Sequence, residues 1–229
     1  MWGAVDLNQN NDKFLLAQAK LYPILDVDYS ATRGIDIFAL VRFWLDFPEY
    51  IKFIQLRGKS TSLQEYKQIY KNLIKENPNL KIIVNDHWEF ASEVSAFGIH
   101  LGKEDFAGLR ESELTRFCQI PCLKGTSSHS LEDIRNLDLK IWDYTGLGPM
   151  FPTTTKVSGY TTLGPEILKK AISISNIRIV PIGGTSVQNF PQVLLSEQIL
   201  PASIGAFSEK KDFIKIMQVL IEKQNSLEK

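Results

Sequence analysis

Short apolar runs and segments of helical period alternate along almost the whole chain, and this alternation restricts the fold more than any other feature. Leu21 to Asp26 is a short apolar run, after which Ile37, Leu40, Val41, Trp44 and Leu45 recur at helical spacing. Ile51 to Arg57 reads as the second strand. The helix behind it stops at Asn77-Pro78, because a residue before proline is pushed out of the helical region. Lys81 to Asp86 and Gly98 to Gly102 are the third and fourth strands, followed by helices through Ala91 to Val94 and around Glu111 to Phe117. Cys122 to Ser127 precedes a helix with Ser130 as N-cap and Asp133 three residues on. Trp142 to Gly148 leads into a Thr-rich loop and a helix opening at Gly164-Pro165-Glu166, with proline at its first position. Arg178 to Gly184 is followed by a predicted helix around Val187 to Leu195, and Pro201 to Ala206 by a last amphipathic helix, Phe213 to Ile221.

Eight β/α units in 229 residues, with no composition break or linker between them, predict an α/β fold of one domain: a (β/α)8 TIM barrel over residues 1–229. Residues 1–20 form a short N-terminal extension, a helix or an arm. An open doubly wound sheet is the competing closure, but it calls for a glycine fingerprint after the first strand, and Asp26-Val27-Asp28-Tyr29-Ser30 supplies none. Lys+Arg and Asp+Glu are both 26, so bulk charge draws the chain neither to nucleic acid nor to an anionic membrane. The start lacks a secretory pattern and no apolar run approaches the ~18 residues of a spanning helix, so a cytoplasmic location is expected. Cys118 and Cys122 have no companion Cys or nearby His, and are expected to be reduced thiols, buried or partly so.

A barrel gathers its active site at the C-terminal ends of its strands. Arg57 and Lys59 stand two apart at the end of the second, a spacing that projects both to one side and suits a multiply charged anion such as a diphosphate. Asp86 and Asp105 follow the next two strands, and carboxylates facing such basics call for a metal between them. Oxygen ligands of this kind describe Mg2+ better than zinc. Gly183-Gly184 and Gly205-Ala206, each leading towards a helix, resemble the phosphate site that many barrels build from their last two βα loops. His87 and His100 read as structural, and His129 as packing or capping at a helix start.

These residues fall into motifs that resemble the thiamine-phosphate synthase (thiamine-phosphate pyrophosphorylase) family: Gln55 to Lys59, Asn85-Asp86, Gly98 to Asp105, Gly125 to Ser130, Gly146 to Lys156 and Pro181 to Gly184. The resemblance runs from Leu21 to the last helix, and Gly146 to Lys156 is its most specific part. It implies a reaction joining an aminopyrimidine methyl diphosphate to a thiazole ethyl phosphate with release of pyrophosphate. Gln55, Arg57, Lys59, Asn85, Ser127 and Lys156 would hold the diphosphate substrate, with Arg57, Lys59, Ser127 and Lys156 in catalytic roles. Asp86 and Asp105 would bind Mg2+, and Thr153, Thr155, Gly184, Ile204 and Gly205 would hold the thiazole phosphate. Leu56, Gly58 and Thr154 are carried along with their motifs as substrate contacts. The implied partners are small phosphorylated molecules, with self-association into a homo-oligomer left open.

If the diphosphate leaves before the thiazole nitrogen attacks, the charge on the leaving group is met by cations and no general base is needed. The family's usual Gln-Leu-Arg-Glu-Lys has Gly58 in place of the acid, which is expected to affect only the loop's stiffness. The basic residue that commonly follows Asn-Asp is His87 here, and Gly205 stands where the family usually has Ser. Two other functions share the fold: a thiazole tautomerase using His129 as acid/base, and a non-catalytic thiamine-precursor binding protein. Arg57, Lys59, Asp86 and Asp105, which tautomerases typically lose, argue against the first, and the retained carboxylates, which without Mg2+ would repel a diphosphate, argue against the second.

Overall fold

In the computed structural model, which describes residues 7–153 and 159–227, the alternation becomes eight parallel strands. They are β1 (Tyr22–Asp26), β2 (Ile54–Arg57), β3 (Ile82–Asn85), β4 (Gly98–His100), β5 (Leu123–Ser128), β6 (Tyr144–Leu147), β7 (Arg178–Pro181) and β8 (Ala202–Ser203). Each pairs with its sequence neighbour from β1 to β7, and β8 pairs with β1. The last seam, between β7 and β8, is closed by a parallel bridge from Ile179 to Ile199, with the Leu200 N–H donating to Ile179 O at 2.9 Å. The result is the expected (β/α)8 barrel. Among the described helices, none is long and apolar enough to cross a membrane.

Strand alternation sorts the apolar side chains into two clusters. Tyr22, Ile24, Phe53, Ile83, Leu123, Tyr144 and Val180 fill the inside of the barrel. Leu21, Leu25, Ile54, Leu56, Ile82, Val84, Ile99 and Ile179 face outward into the helical layer. That layer contains α2 (Val27–Arg33), α3 (Ile37–Leu45), α4 (Leu63–Glu76), α5 (Trp88–Glu93), α6 (Lys103–Ala107), α7 (Glu111–Gln119), α8 (Leu131–Arg135), α9 (Gly164–Ile174), α10 (Gly205–Ser208) and α11 (Lys210–Leu227). Local signals set several boundaries. Asp36 and Ser62 cap α3 and α4 through their side chains, and the Ser130 hydroxyl accepts from the Asp133 N–H, as the sequence predicts. Helix α2, directly after β1, is an element that the apolar periodicity did not reveal.

The segment after β7 departs from expectation. Instead of a helix over 187–195, only a 3-10 turn forms at Phe190–Val193, with Pro191 in its first turn. Asn189 ties the preceding residues into a turn by donating to Gly184 O and accepting from the Ser186 N–H. Proline then removes a donor that an α-helix needs.

Within the N-terminal extension, the described residues form a helix, α1 (Leu7–Gln18). Leu16 and Ala19 join the inner cluster at the N-terminal ends of the strands, so this segment closes the barrel's bottom. Arg178 holds it there, donating to the carbonyls of Leu16, Ala17, Ala19 and Ile199 at 3.3, 2.6, 3.0 and 3.1 Å. Both cysteines are free: Cys122 is buried, its thiol pushed up to about 11 by burial, whereas Cys118 is exposed rather than buried or partly buried.

Candidate active site

A cavity of about 420 Å³ opens at the C-terminal ends of the strands. Inward parity decides what lines it. Gln55 and Arg57 point in and Leu56 points out, fully buried against the helices, so the expectation of a substrate contact at Leu56 is corrected. Lys59, Asn85, Asp86, Asp105, Ser127, Thr153, Gly184, Ile204 and Gly205 all line the cavity. Thr154, Thr155 and Lys156 lie outside the described residues.

The basic side of the cavity is built from βα loops two to four. Arg57 is ion-paired with Asp26, a buried carboxylate at the end of β1 that also accepts the Tyr29 N–H and so caps α2. Lys59 lies between two carboxylates, in contact with Asp86 and 3.7 Å from Asp105. The loop that carries it is latched to Asp28, which accepts the Ser60 N–H and the Thr61 hydroxyl, both at 2.8 Å. Burial works against the Asp28 charge, but these hydrogen bonds overcome it and hold the carboxyl below its usual range. Gly58 does not line the cavity. A Cβ there would meet Thr61 Oγ1 at 2.8 Å, so glycine makes room for the latch, a tighter role than loop stiffness alone.

Asp86 sits at φ 64°, in the left-handed region that an L-residue adopts only at a cost. Asp86 and Asp105 form an oxygen donor pair that fits a hard cation such as magnesium, which takes one or two protein carboxylates and completes its shell with water and substrate phosphate. Among the described residues no group of three or more His, Cys, Asp or Glu makes a protein-only cage, so substrate oxygens would have to complete the shell.

The floor is a chain of hydrogen-bonding side chains that crosses the barrel. Gln55 Nε2 donates to the Tyr22 hydroxyl at 3.0 Å, which lies 2.7 Å from that of Tyr144. His100 reaches the Tyr144 hydroxyl from Nδ1 at 3.2 Å and Ser127 Oγ from Nε2 at 3.1 Å. Burial raises the pKa values of both tyrosines, keeping them neutral. His100 therefore is part of the cavity wall and not merely a strand residue. Tyr22, Tyr144 and His100 were missed because their apolar or aromatic character reads as core; the period-2 parity with Ile24, Gly146 and Gly98 would have found them.

On the opposite side, the Gly183-Gly184 turn after β7 faces the loop after β8. Both glycines have positive φ, 96° and 68°, and a Cβ on Gly184 would come within 2.4 Å of Pro152 O. At the rim, His129 Nδ1 donates to Gly148 O at 2.6 Å, and its ring stacks on Tyr160 with centroids 3.7 Å apart. The Tyr160 hydroxyl donates to Glu104 at 2.5 Å, a bond that lowers the Glu104 pKa. His87, the N-cap residue of α5, has its ring edge-on to Tyr66, and burial lowers its pKa.

The cavity can thus receive one anionic group at loops two to four and another at loops seven and eight, across a hydrogen-bonding floor. The family model described as thiamine monophosphate synthase matches residues 21–205. Thiamine-phosphate synthase of Dictyoglomus turgidum is 33% identical over 191 residues, 82% of each chain. That of Dictyoglomus thermophilum is 31% identical over the same length and shares. The solved thiamine phosphate pyrophosphorylase from Pyrococcus furiosus superimposes with a TM-score of 0.71 at 24% identity, covering 90% of this chain and 98% of that one.

Proposed function

The chain belongs to the thiamine monophosphate synthase family, and from that premise we propose that its cavity joins an aminopyrimidine methyl diphosphate to a thiazole ethyl phosphate. It is a transferase of thiamine biosynthesis. The observation that carries the substrate assignment is the pairing of two anion-binding ends in one cavity: Arg57 and Lys59 with Asp86 and Asp105 on one side, Gly183-Gly184 and Ile204-Gly205 on the other.

In this reading Gln55, Asn85 and Ser127 bind the pyrimidine diphosphate with Arg57, Lys59 and Lys156. The Ser127 hydroxyl is oriented by His100. The C–O bond to the diphosphate breaks with its electron pair leaving on pyrophosphate, and the thiazole nitrogen lone pair forms the new C–N bond. No proton has to move in that step, which agrees with a cavity rich in cations and hydroxyls. Arg57, held by Asp26, meets the charge that develops on the leaving group without having to reorganise, and Lys59, on the latched loop, exchanges its carboxylate partners for the leaving group. Asp86 and Asp105 would hold a magnesium ion, which would supply further neutralisation of the diphosphate oxygens. Thr153 and Thr155 approach the thiazole phosphate, and the backbone at Gly184, Ile204 and Gly205 binds it.

The test is pyrophosphate release measured with both substrates, each alone, and with Mg2+ withheld. Release that needs all three supports the reading. No release from the two substrates together with Mg2+ present would overturn it. His129→Asn separates the synthase from a tautomerase: coupling should persist, since general acid/base help is worth ~10²–10⁴-fold where it operates and would be visible if lost.

A further inference from the structure

Three buried side-chain atoms among the described residues have no hydrogen-bond partner: Ser30 Oγ, Arg178 Nε and Thr185 Oγ1. Of these residues only Thr185 lines the cavity, at 9% exposure. Its hydroxyl gave up water on folding and gained nothing in return, an arrangement that a folded interior rarely keeps. The backbone around it has little freedom to relieve this. Thr185 follows two glycines of positive φ, and Asn189 fastens the turn through Gly184 O at 2.9 Å and the Ser186 N–H at 2.8 Å.

Of the cavity-lining hydroxyls at this end besides that of Thr153, Ser203 Oγ is already engaged by the Ala206 N–H at 3.1 Å in the first turn of α10. One hydroxyl is therefore committed to structure and one waits for a partner. A group that fills this end of the cavity is what can satisfy it, and rotation about Cα–Cβ lets a threonine turn its hydroxyl without moving the backbone.

We infer that Thr185 is a specificity residue that donates its hydroxyl hydrogen to the phosphate monoester of the thiazole substrate. The inference rests on the reading that places this monoester at loops seven and eight. A bond to a remote, non-reacting phosphate is made in the ground state and in the transition state alike. Its loss therefore raises KM for that substrate and leaves kcat unchanged.

The experiment compares wild type with Thr185→Val, which keeps the shape and removes the hydroxyl, and with Thr185→Ser, which keeps the hydroxyl. KM is measured for each substrate, with melting temperature in the absence and presence of the thiazole ethyl phosphate. Thr185→Val should raise KM for the thiazole phosphate by about tenfold to a hundredfold, the worth of a hydrogen bond to a charged group. KM for the pyrimidine diphosphate and kcat should stay within about twofold, Thr185→Ser should lie near wild type, and ligand-free Thr185→Val should melt no lower than wild type because no bond is lost. An unchanged KM for the thiazole phosphate in Thr185→Val, or a lower ligand-free melting temperature, overturns the inference while leaving the proposed function standing. A wild-type protein that binds the diphosphate substrate but not the thiazole phosphate overturns both.

Discussion

The hydroxyl oxygens of Tyr22 and Tyr144 lie 2.7 Å apart on the cavity floor, although 122 residues separate them in the chain. Gln55 and His100 extend the contact on either side, so Tyr144→Phe removes two hydrogen bonds at once, leaving Tyr22 with Gln55 and His100 with Ser127. The variant should lose about 1–3 kcal/mol of stability in denaturant titration. A loss within error would show that the floor relaxes around the gap.

Asp86 and Asp105 differ in what their replacement does to the fold. Asp105 is half-exposed on α6, so Asp105→Ala should leave the melting temperature unchanged while removing most Mg2+-dependent turnover. At φ 64°, Asp86 is best replaced by Asn, which tolerates that conformation, whereas Asp86→Ala adds a backbone cost of about 1 kcal/mol. Both Asp86 variants should lose activity, and only the alanine should also lose stability. Normal turnover in either would sink the metal assignment.

Asp26→Asn keeps an acceptor for the Tyr29 N–H and removes the charge that holds Arg57. A half-satisfied guanidinium in a largely buried pair should cost about 2–4 kcal/mol. The diphosphate substrate should bind about tenfold more weakly, by analogy with one misplaced charged hydrogen bond. Titration of substrate binding by calorimetry would detect it, and unchanged affinity would mean that Arg57 needs no positioning.

Asp133 anchors the segment under His129, accepting from Lys103 Nζ at 2.6 Å and from the His129 N–H at 2.7 Å. Burial raises its pKa, but the bonds from Lys103 and the His129 N–H outweigh that, and the net shift is downward from 3.8. Its contribution is therefore fully present above the unfolded value and is lost as pH falls through the lower folded value. Asp133→Asn should be about 1 kcal/mol less stable than wild type at pH 7, and the gap should close in the acid range below 3.8. A gap that persists into strong acid would assign the effect to packing.

Arg178→Met retains the apolar stem and removes the donors that pin α1 beneath the barrel. The expected loss is about 2–3 kcal/mol, with faster amide exchange confined first to α1 and the β7–β8 seam. Uniform exchange across the barrel would instead show that α1 unfolds only with the whole domain.

Much of this molecule is decided locally and can be read along the chain. Apolar runs such as Lys81 to Asp86, and polar residues placed where they end, already dictate β/α units and put Arg57, Asn85, Ser127 and Gly184 at one end of a barrel. The Gly146 to Lys156 motif carries the family because its residue types and spacing are contiguous. Parity within a strand could also have set Leu56 aside, since a period of two is a local property. What local pattern does not determine is which inward side chains meet. Closing the barrel brings Tyr22 to Tyr144 and Arg178 to the C-terminal end of α1, and folds Lys59 in between Asp86 and Asp105. It also leaves the Thr185 hydroxyl without a partner. These outcomes depend on curvature, strand register and the packing of distant loops, because a hydrogen bond or ion pair requires contact in space and sequence separation does not encode it.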